Sequence, residues 1–337
     1  MSFIELDKKA YFHNLKTLSQ KVGGVDKLAV VLKDNAYGHG LVEMAILACE
    51  FGIKRAIVRN LDEAKKIQKY FENILILYSY NTQPNKKLSF TINSLHDISK
   101  LDKNSSIHLK IDTGMNRNGI SFLEIEKAFY LISQKELKLD GVMTHFRSAD
   151  EDSNDLFWQI NQWQQAKKQV IKFIKKYKFK KPLFHSANSA TILRVKTYED
   201  DFARCGIATY GYTELLHDNT PLKPVLSLWG EKIGSRVLKK GERVGYGGVF
   251  KASKDMVIST YDIGYGDGFF RYDGTGCLTT ANSSKILGRV SMDSMSIESD
   301  DEQICIFDDA KKLSKYFHTI SYDILTKLSP SIKRIIV

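Results

Sequence analysis

The sequence predicts an α/β protein: a (β/α)8 barrel of the TIM type over residues 1–224, followed by a mainly-β domain over residues 225–337. Two observations lead to this prediction. Short apolar runs alternate with helical patterns over roughly the first 210 residues, as in a barrel of parallel strands. After about residue 224 the helical patterns nearly vanish, and short alternating runs between glycine turns replace them.

Eight strands are predicted in the first domain, and helical patterns separate several of them. An open, doubly wound sheet is the alternative, but no Gly-x-Gly-x-x-Gly pattern opens a helix after a strand. The predicted strands are 28–32, 55–58, 74–77, 90–93, 107–111, 139–145, 183–186 and 203–210, and the predicted helices include 41–51, 61–71, 122–133 and 156–177.

The second domain is predicted to consist mainly of short strands. Each run alternates apolar and polar residues, which is typical of a sheet with one buried face. The predicted strands are 225–229, 232–238, 257–261, 286–290 and 295–298, with one helix at 322–328.

Composition narrows the classes of function. The net charge of +11 raises the question of nucleic-acid binding, but its densest stretch, 167–181, carries apolar residues at helical spacing and is better explained as an amphipathic helix with a solvated face. No segment is apolar enough to cross a membrane, and the N-terminus does not resemble a signal peptide. The four cysteines form no CxxC pair, so we expect no metal site and a cytoplasmic location.

Polar residues follow the predicted strands at their carboxyl ends, where a barrel of this type carries its active site. A lysine at such a position is suited to forming a Schiff base with an aldehyde cofactor, although a solvated lysine in a turn is the alternative. These residues are Lys33 after the first strand, Arg117 past the fifth, His145 at the end of the sixth, Asn188 and Ser189 after the seventh, and Arg204 within the eighth.

Nine motifs in order along the chain give the sequence a specific resemblance. The first is Lys33-Asp-Asn-Ala-Tyr37-Gly-His-Gly40, preceded by Leu32. The others occupy 108–117, 144–146, 185–190, 204–211, 245–247, 263–268, 288–293 and 320–324. With these motifs the chain resembles, essentially from end to end, the alanine racemases that depend on pyridoxal 5′-phosphate (PLP) and have fold type III.

The resemblance implies the roles of four catalytic residues. Lys33 would bind PLP covalently and act as one acid–base group, while Tyr246 from a partner subunit would act on the opposite face of the substrate. Racemisation needs two such groups because one removes the α-proton and the other returns a proton from the far side. His145 would form a hydrogen bond with Tyr246 and so suit this tyrosine, an otherwise weak base near neutral pH, to its role. Arg204 would face the pyridine nitrogen and, because arginine retains its proton, leave that nitrogen unprotonated.

The resemblance also assigns residues that bind the cofactor and the substrate in a homodimer with shared sites. Arg117 and the backbone of Met292 would bind the substrate carboxylate, and Tyr265 would narrow the entrance. Lys110 matches a position that carries a carbamate in some relatives, with an ordinary lysine paired to Asp112 as the alternative. The cofactor would be bound by Tyr37, Asn188, Ser189, Tyr322 and the backbone of Gly206 and Ile207.

Several departures from the family pattern leave the substrate range open. Asp34, Arg147, Gly245 and Ser291 replace residues that are usual at these positions. A racemase of alanine that supplies D-alanine for peptidoglycan is the favoured interpretation. A racemase of another small amino acid, such as serine, is the first alternative. A non-catalytic PLP carrier is the second, but such a protein resembles only the barrel and would lack Tyr246.

Overall fold

The structure, a computed structural model, describes residues 1–80, 83–215 and 219–337. The chain divides into two compact units. The barrel unit comprises Phe12–Ala36 and Met44–Leu222, and the β unit comprises Met1–Tyr11, Tyr37–Glu43 and Lys223–Val337. No helix among the described residues is both long and apolar enough to cross a bilayer.

The N-terminal strand β1 (Phe3–Leu6) is part of the β unit, although the sequence placed residues 1–224 in one barrel domain. The strand pairs antiparallel with a long C-terminal strand and parallel with the last strand of the chain. The predicted division near residue 224 is close to the start of the C-terminal segment at Lys223, but residues 1–11 and 37–43 group with that segment.

Eight parallel strands form the sheet of the barrel unit, in the order β8-β7-β6-β5-β4-β3-β2-β9. Most of their residues are buried, which explains why they are continuous apolar runs. The strands are β2 (Leu28–Val31), β3 (Arg55–Val58), β4 (Asn73–Ile76), β5 (Leu88–Ile92), β6 (Ser106–Lys110), β7 (Lys138–Met143), β8 (Leu183–His185) and β9 (Ala203–Cys205).

Backbone hydrogen bonds connect the two ends of this sheet. The amide of Asp201 donates to the carbonyl of Phe184 (2.9 Å), and the amide of Arg204 donates to the carbonyl of Ala187 (3.0 Å). These bonds join the segment around β8 to the segment around β9, so the sheet closes as the sequence predicted. All eight strands therefore end at the same edge of the barrel.

Helices follow the strands of the barrel unit with the predicted amphipathic patterns. The longest, Asp155–Lys176, buries residues three or four positions apart, including Trp163, Val170 and Phe173, and most of its lysines stay accessible. Apart from the left-handed turn Lys33–Tyr37, the α-helices among the described residues up to 215 are Lys8–Val22, Leu41–Phe51, Leu61–Ile67, Ile125–Gln134, Asp155–Lys176 and Ser189–Arg194.

The β unit contains a seven-stranded sheet in the order β14-β15-β13-β10-β1-β17, with β16 also paired to β10. The strands after β1 are β10 (Leu226–Leu238), β11 (Arg243–Val244), β12 (Phe250–Lys251), β13 (Met256–Tyr261), β14 (Ile286–Leu287), β15 (Met295–Ile297), β16 (Gln303–Phe307) and β17 (Lys333–Ile336). Two helices, Ala310–Tyr316 and Ser321–Thr326, complete the unit.

Four predicted strands differ from the structure for local reasons. The predicted strand 203–210 ends at Cys205, and Ile207–Tyr210 form a 3-10 turn that begins after Gly206. The predicted strands 225–229 and 232–238 are one strand with an irregularity between Lys232 and Gly234. The predicted strand 286–290 stops at Leu287 because Gly288 has a φ of 68°, outside the extended region.

Candidate active site

The carboxyl edge of the barrel collects the polar residues that the sequence singled out in this unit. Since the strands are parallel, residues that end or follow them lie at one rim. The rim carries Lys33 beyond β2, Lys110 at the end of β6, His145 after β7, Asn188 and Ser189 after β8, and Arg204 within β9 just before Gly206 and Ile207.

Lys33 lies at the start of a turn with unusual backbone geometry. The φ angles of Asp34, Asn35, Ala36 and Tyr37 lie between 52° and 56°, which is the left-handed region. Non-glycine residues are disfavoured there by about 1–2 kcal/mol each, so other contacts must stabilise the turn. The Lys33 side chain is 35% exposed, and its Nζ lies 3.8 Å from the carboxylate of Asp34.

Arg204 is buried and surrounded by acceptors. Its Nη1 donates to the Nδ1 and the carbonyl of His185 (both 2.8 Å), and its Nη2 donates to the carbonyls of Thr144 (2.7 Å) and Ser186 (2.9 Å). Burial lowers the pKa of Arg204 to about 10, so the guanidinium stays charged at neutral pH. Nη2 also has a longer contact to the Nδ1 of His145 (3.4 Å), so one of its N–H groups is shared between two acceptors. The terminal nitrogens are thus used within the protein, which leaves Nε–H for a ligand.

The bonds of Arg204 continue through two buried histidines. Because arginine only donates, the Nδ1 of His185 must accept, so its Nε2 carries the proton and donates to the Nδ1 of His108 (2.7 Å). Burial, with the charge of Arg204, lowers the pKa of His108 to about 3 and that of His185 well below its usual range. A side chain at Gly141 would overlap the His108 ring. Both histidines are therefore neutral and fixed in one tautomer.

His145 lies, like His108 and His185, in a buried environment near the positive charge of Arg204. Burial, followed by the charges of Arg204, Lys110, Arg117 and Lys33, lowers the pKa of His145 to about 3. Its Nδ1 lies 3.4 Å from the Nη2 of Arg204 and faces a donor. His145 is therefore a neutral imidazole whose Nε2–H can donate to a further group.

A cluster of donors lies where β8 and β9 end. The Oγ of buried Ser189 accepts from the amides of Gly206 (3.0 Å) and Ala208 (3.4 Å). Hydroxyl and amide groups in such a corner suit an anionic phosphate. Asn188 caps the next helix: its Oδ1 accepts from the amide and hydroxyl of Thr191, both at 2.9 Å.

The loop that carries Arg117 is built around Asp112 and not around an ion pair with Lys110. The Oδ1 of Asp112 accepts from the amides of Gly114 (2.9 Å) and Asn116 (3.1 Å). No ion pair joins Lys110 to Asp112 within the described part of the chain, although the charge of Asp112 acts to raise the pKa of Lys110 against the effect of burial. Lys110 is buried, and Arg117 is exposed.

Arg147, a departure from the family pattern, connects this loop to the longest helix. Its guanidinium binds the carboxylate of Asp155 through two nitrogens (2.5 and 2.7 Å) and donates to the carbonyl of Gly114 (2.7 Å). Its backbone amide donates to Gln159 (2.7 Å). Arg147 therefore stabilises the loop that holds Arg117.

The β unit contains the other predicted site residues. Tyr246 follows Gly245, in a turn where several residues have positive φ angles, and it is 69% exposed; Met292 is 61% exposed. The amide of Tyr265 donates to the carbonyl of Ser291 (3.0 Å), and that of Gly266 donates to the carbonyl of Met292 (2.6 Å), so these two motifs lie together. The rings of Tyr37 and Tyr322 lie 5.8 Å apart.

A barrel with a lysine and a buried arginine at its active-site edge, joined in one chain to a mainly-β unit, defines a class of two-unit barrel enzymes. Residues 6–214 match the family model "Alanine racemase, N-terminal domain", and residues 225–336 match "Alanine racemase, C-terminal domain". The chain is 53% identical over 336 residues to the alanine racemase of a Nitratiruptor species and 48% identical over 335 residues to that of Campylobacter curvus. Each alignment covers 99% of both proteins. The chain belongs to the alanine racemase family, as the motifs predicted.

Solved structures confirm the predicted fold class. The alanine racemase from E. faecalis aligns with 28% identity and a TM-score of 0.84, over all of this chain and 98% of its own. The alanine racemase from Bacillus anthracis, solved with bound L-Ala-P, aligns with 27% identity and a TM-score of 0.84, over all of this chain and 95% of its own. A histidine racemase from Leuconostoc mesenteroides also aligns, with 25% identity and a TM-score of 0.86, over all of this chain and 98% of its own.

Sequence reasoning missed several residues that shape the rim. His108 and His185 lie inside recognised motifs, but their mutual hydrogen bond depends on two strands that are distant in sequence. Glu63, on the helix after β3, contacts the turn that follows Lys33. The sequence does contain a signal for Glu63, because an asparagine followed three residues later by a glutamate, as at Asn60 and Glu63, is typical of the start of a helix.

Proposed function

We propose that this chain is a PLP-dependent racemase that interconverts L-alanine and D-alanine. The observation that carries the proposal is Arg204, whose terminal nitrogens are used by the protein and whose Nε–H remains for a ligand. A permanently charged donor of this kind fits the pyridine nitrogen of PLP, and the amine of Lys33 at the same edge fits its aldehyde. The donor corner at Ser189 fits its phosphate.

Bound PLP supplies an electron sink that makes the α-proton of an amino acid more acidic. Arg204 restricts this sink, because arginine holds its own proton and leaves the ring nitrogen unprotonated. An acidic residue at this position would protonate the ring and favour decarboxylase or transaminase chemistry. Arg204 therefore favours simple removal and return of the α-proton.

The two proton-transfer groups in this proposal are Lys33 and Tyr246 of a partner subunit, one on each face of the substrate. A tyrosine is a weak base near neutral pH because its ordinary pKa is about 10. His145 is neutral, its Nδ1 faces Arg204, and its Nε2–H is available to stabilise a phenolate. Deprotonation on one face and reprotonation on the other then invert the α-carbon.

Binding groups complete the proposed site. Ser189, Gly206 and Ile207 would bind the cofactor phosphate with Tyr37 and Tyr322, while Asn188 contributes by capping the helix that carries Ser189. In the substrate pocket, Arg117 and the backbone of Met292 would bind the carboxylate, and Tyr265 would restrict the side chain to a small size.

We propose a homodimer in which each β unit completes the active site of its partner. Tyr246 and Met292 are large, mostly exposed side chains, as are Ile233 and Val237 on β10. Tyrosine and methionine are enriched at interfaces between proteins, and the proposed dimer would bury these side chains. A cytoplasmic enzyme that supplies D-alanine for peptidoglycan is the physiological role that we propose.

Lys110 is proposed to carry a carbamate that orients Arg117. Burial, with the charges of Arg117 and Arg204, lowers the pKa of Lys110 to about 8, so about a tenth of its amine is neutral at pH 7. The neutral amine attacks carbon dioxide, an N–C bond forms, and one proton is released. The neutral fraction grows as the pH rises from 6 to 9, so the modification should be favoured in the same direction.

We expect the KM for alanine to rise by up to about tenfold when carbon dioxide is removed at pH 8, because Arg117 loses the anion that orients it. Added bicarbonate should restore the KM. Labelling with 13C-bicarbonate should give a carbamate resonance that Lys110→Ala lacks. A KM that is independent of bicarbonate, together with the absence of that resonance, would contradict the modification.

A chiral assay with purified protein and PLP tests the proposed function. We expect racemisation of alanine in both directions, with serine slower and histidine inactive, because Tyr265 would restrict the pocket. Faster turnover of serine would favour the alternative of a serine racemase. Bound cofactor without turnover of any amino acid would favour a PLP carrier.

A further inference from the structure

The turn after Lys33 has a backbone conformation that its own residue types disfavour. Asp34, Asn35 and Ala36 are not glycines, yet all three have left-handed backbone angles. The amide of Ala36 bonds to the carbonyl of Leu32 (2.9 Å), but the amides of Asp34 and Asn35 point elsewhere. Those two amides require an acceptor from another part of the fold.

Glu63 provides that acceptor. Its Oε1 accepts from the amides of Asp34 (2.8 Å) and Asn35 (3.4 Å), and its Oε2 accepts from the amide of Arg59 (2.7 Å). The carboxylate therefore joins the segment after β2 to the segment after β3. Hydrogen bonds to a charged carboxylate are stronger than those between neutral groups.

The start of the helix Leu61–Ile67 fixes Glu63 itself. The amide of Glu63 donates to the side chain of Asn60 (2.9 Å), which caps this helix. A second connection runs parallel to the first: the Nη1 of Arg59 lies 3.0 Å from the Oδ1 of Asp34. The Glu63 carboxylate is therefore held by a regular element and not by a free loop.

We propose that Glu63 is a positioning residue for Lys33: its carboxylate clamps the left-handed turn and thereby sets where the lysine amine stands. The inference rests on the proposed function of Lys33. Glu63 acts through the backbone of Asp34 and Asn35, so it should influence how Lys33 meets the cofactor and moves protons. It should have little influence on how tightly the substrate binds.

Two variants of Glu63 test the hydrogen-bonding geometry of its carboxylate separately from its negative charge. Glu63→Gln keeps the size but replaces one oxygen by an NH2 group, which would face an N–H donor in either orientation. Glu63→Asp keeps the charge but shortens the reach by one methylene. Both residues are tolerated in the first turn of a helix, and Asp is favoured there, so we expect both proteins to fold.

Glu124 offers a matched control. Its carboxylate accepts from the amide and the hydroxyl of Ser121, both at 2.8 Å, at the start of another helix of the barrel unit. Glu124→Gln makes the same chemical change in the same structural setting, but it does not touch the Lys33 turn. Thermal melting of all three variants measures the purely structural contribution.

The experiment compares the three holoenzymes and wild type in the steady state and by cofactor absorbance as a function of pH. We expect Glu63→Gln and Glu63→Asp each to lower kcat for alanine by about 10- to 100-fold, with KM changed less than about threefold. The pH midpoint of the cofactor absorbance should shift, and trapping of Lys33 by borohydride should slow. Glu124→Gln should match wild type in its steady-state constants, in its absorbance midpoint and in the rate of trapping by borohydride.

Four results would overturn the clamp, three of them in the comparison with Glu124→Gln and wild type and one in Glu63→Asp alone. One is a kcat and an absorbance midpoint in both Glu63 variants that match those of Glu124→Gln. Another is a loss confined to KM, and the third is a fall in melting temperature with an unchanged absorbance midpoint. If Glu63→Asp behaves as wild type, the charge at position 63 and not the length of the side chain is responsible for the effect, and the clamp is also wrong. Wild type that fails to bind PLP or to racemise alanine would instead refute the proposed function.

Discussion

Replacing Lys33 with alanine is expected to abolish racemisation and the visible absorbance of the Lys33-linked cofactor. Lys33 is proposed to hold the cofactor covalently and to transfer a proton on one face, so its removal eliminates two contributions at once. We expect turnover to fall by more than about 10⁴-fold, the upper end of what one positioned acid–base group supplies. The measurements are a chiral assay and an absorption spectrum with added PLP.

Lys65 provides the control for this experiment, because it is an exposed lysine on the helix Leu61–Ile67. Lys65→Ala should keep both the activity and the spectrum of wild type. Borohydride reduction followed by peptide mapping should place the cofactor on Lys33. A Lys33→Ala protein that still racemises alanine, or a cofactor mapped to another lysine, would refute the assignment.

Replacing Tyr246 with phenylalanine is expected to remove proton transfer on one face only. We expect racemisation to fall by about 10²- to 10⁴-fold in both directions, because the overall equilibrium requires equal proportional losses. The informative measurement is the exchange of the α-proton in heavy water. One enantiomer should still exchange, through Lys33, while exchange of the other should fall as far as racemisation does.

Tyr130 serves as the matched control, since it is an exposed tyrosine on the helix Ile125–Gln134. Tyr130→Phe should exchange both enantiomers at the wild-type rate. Equal exchange of both enantiomers by Tyr246→Phe would show that a different group serves the second face.

Local patterns were sufficient to predict the barrel strands. Continuous apolar runs such as 28–32 and 55–58 correspond to the buried strands β2 and β3, because strands covered on both faces need no polar alternation. The strand β1 was not predicted. It pairs with β10 and β17, so its place depends on residues more than 200 positions away, and no local pattern encodes such a pairing.

The predicted site shows the same division between local and distant information. Motifs and strand ends located Lys33 and Arg204, because each lies at or near the carboxyl end of a recognisable strand. The bonds from Arg204 to His185 and from Glu63 to the Lys33 turn could not be predicted. They depend on the closeness of separate strands and on a left-handed turn of non-glycine residues that propensity disfavours.

Complementation between two inactive variants tests most directly whether Lys33 and Tyr246 of different subunits form one active site. Lys33→Ala and Tyr246→Phe chains carrying different affinity tags are co-expressed, and the mixed dimer is purified on both tags. A mixed dimer has one site with both native residues and one with neither, so about half of the wild-type activity per dimer is expected. Activity no higher than that of the two parent variants would contradict the shared site.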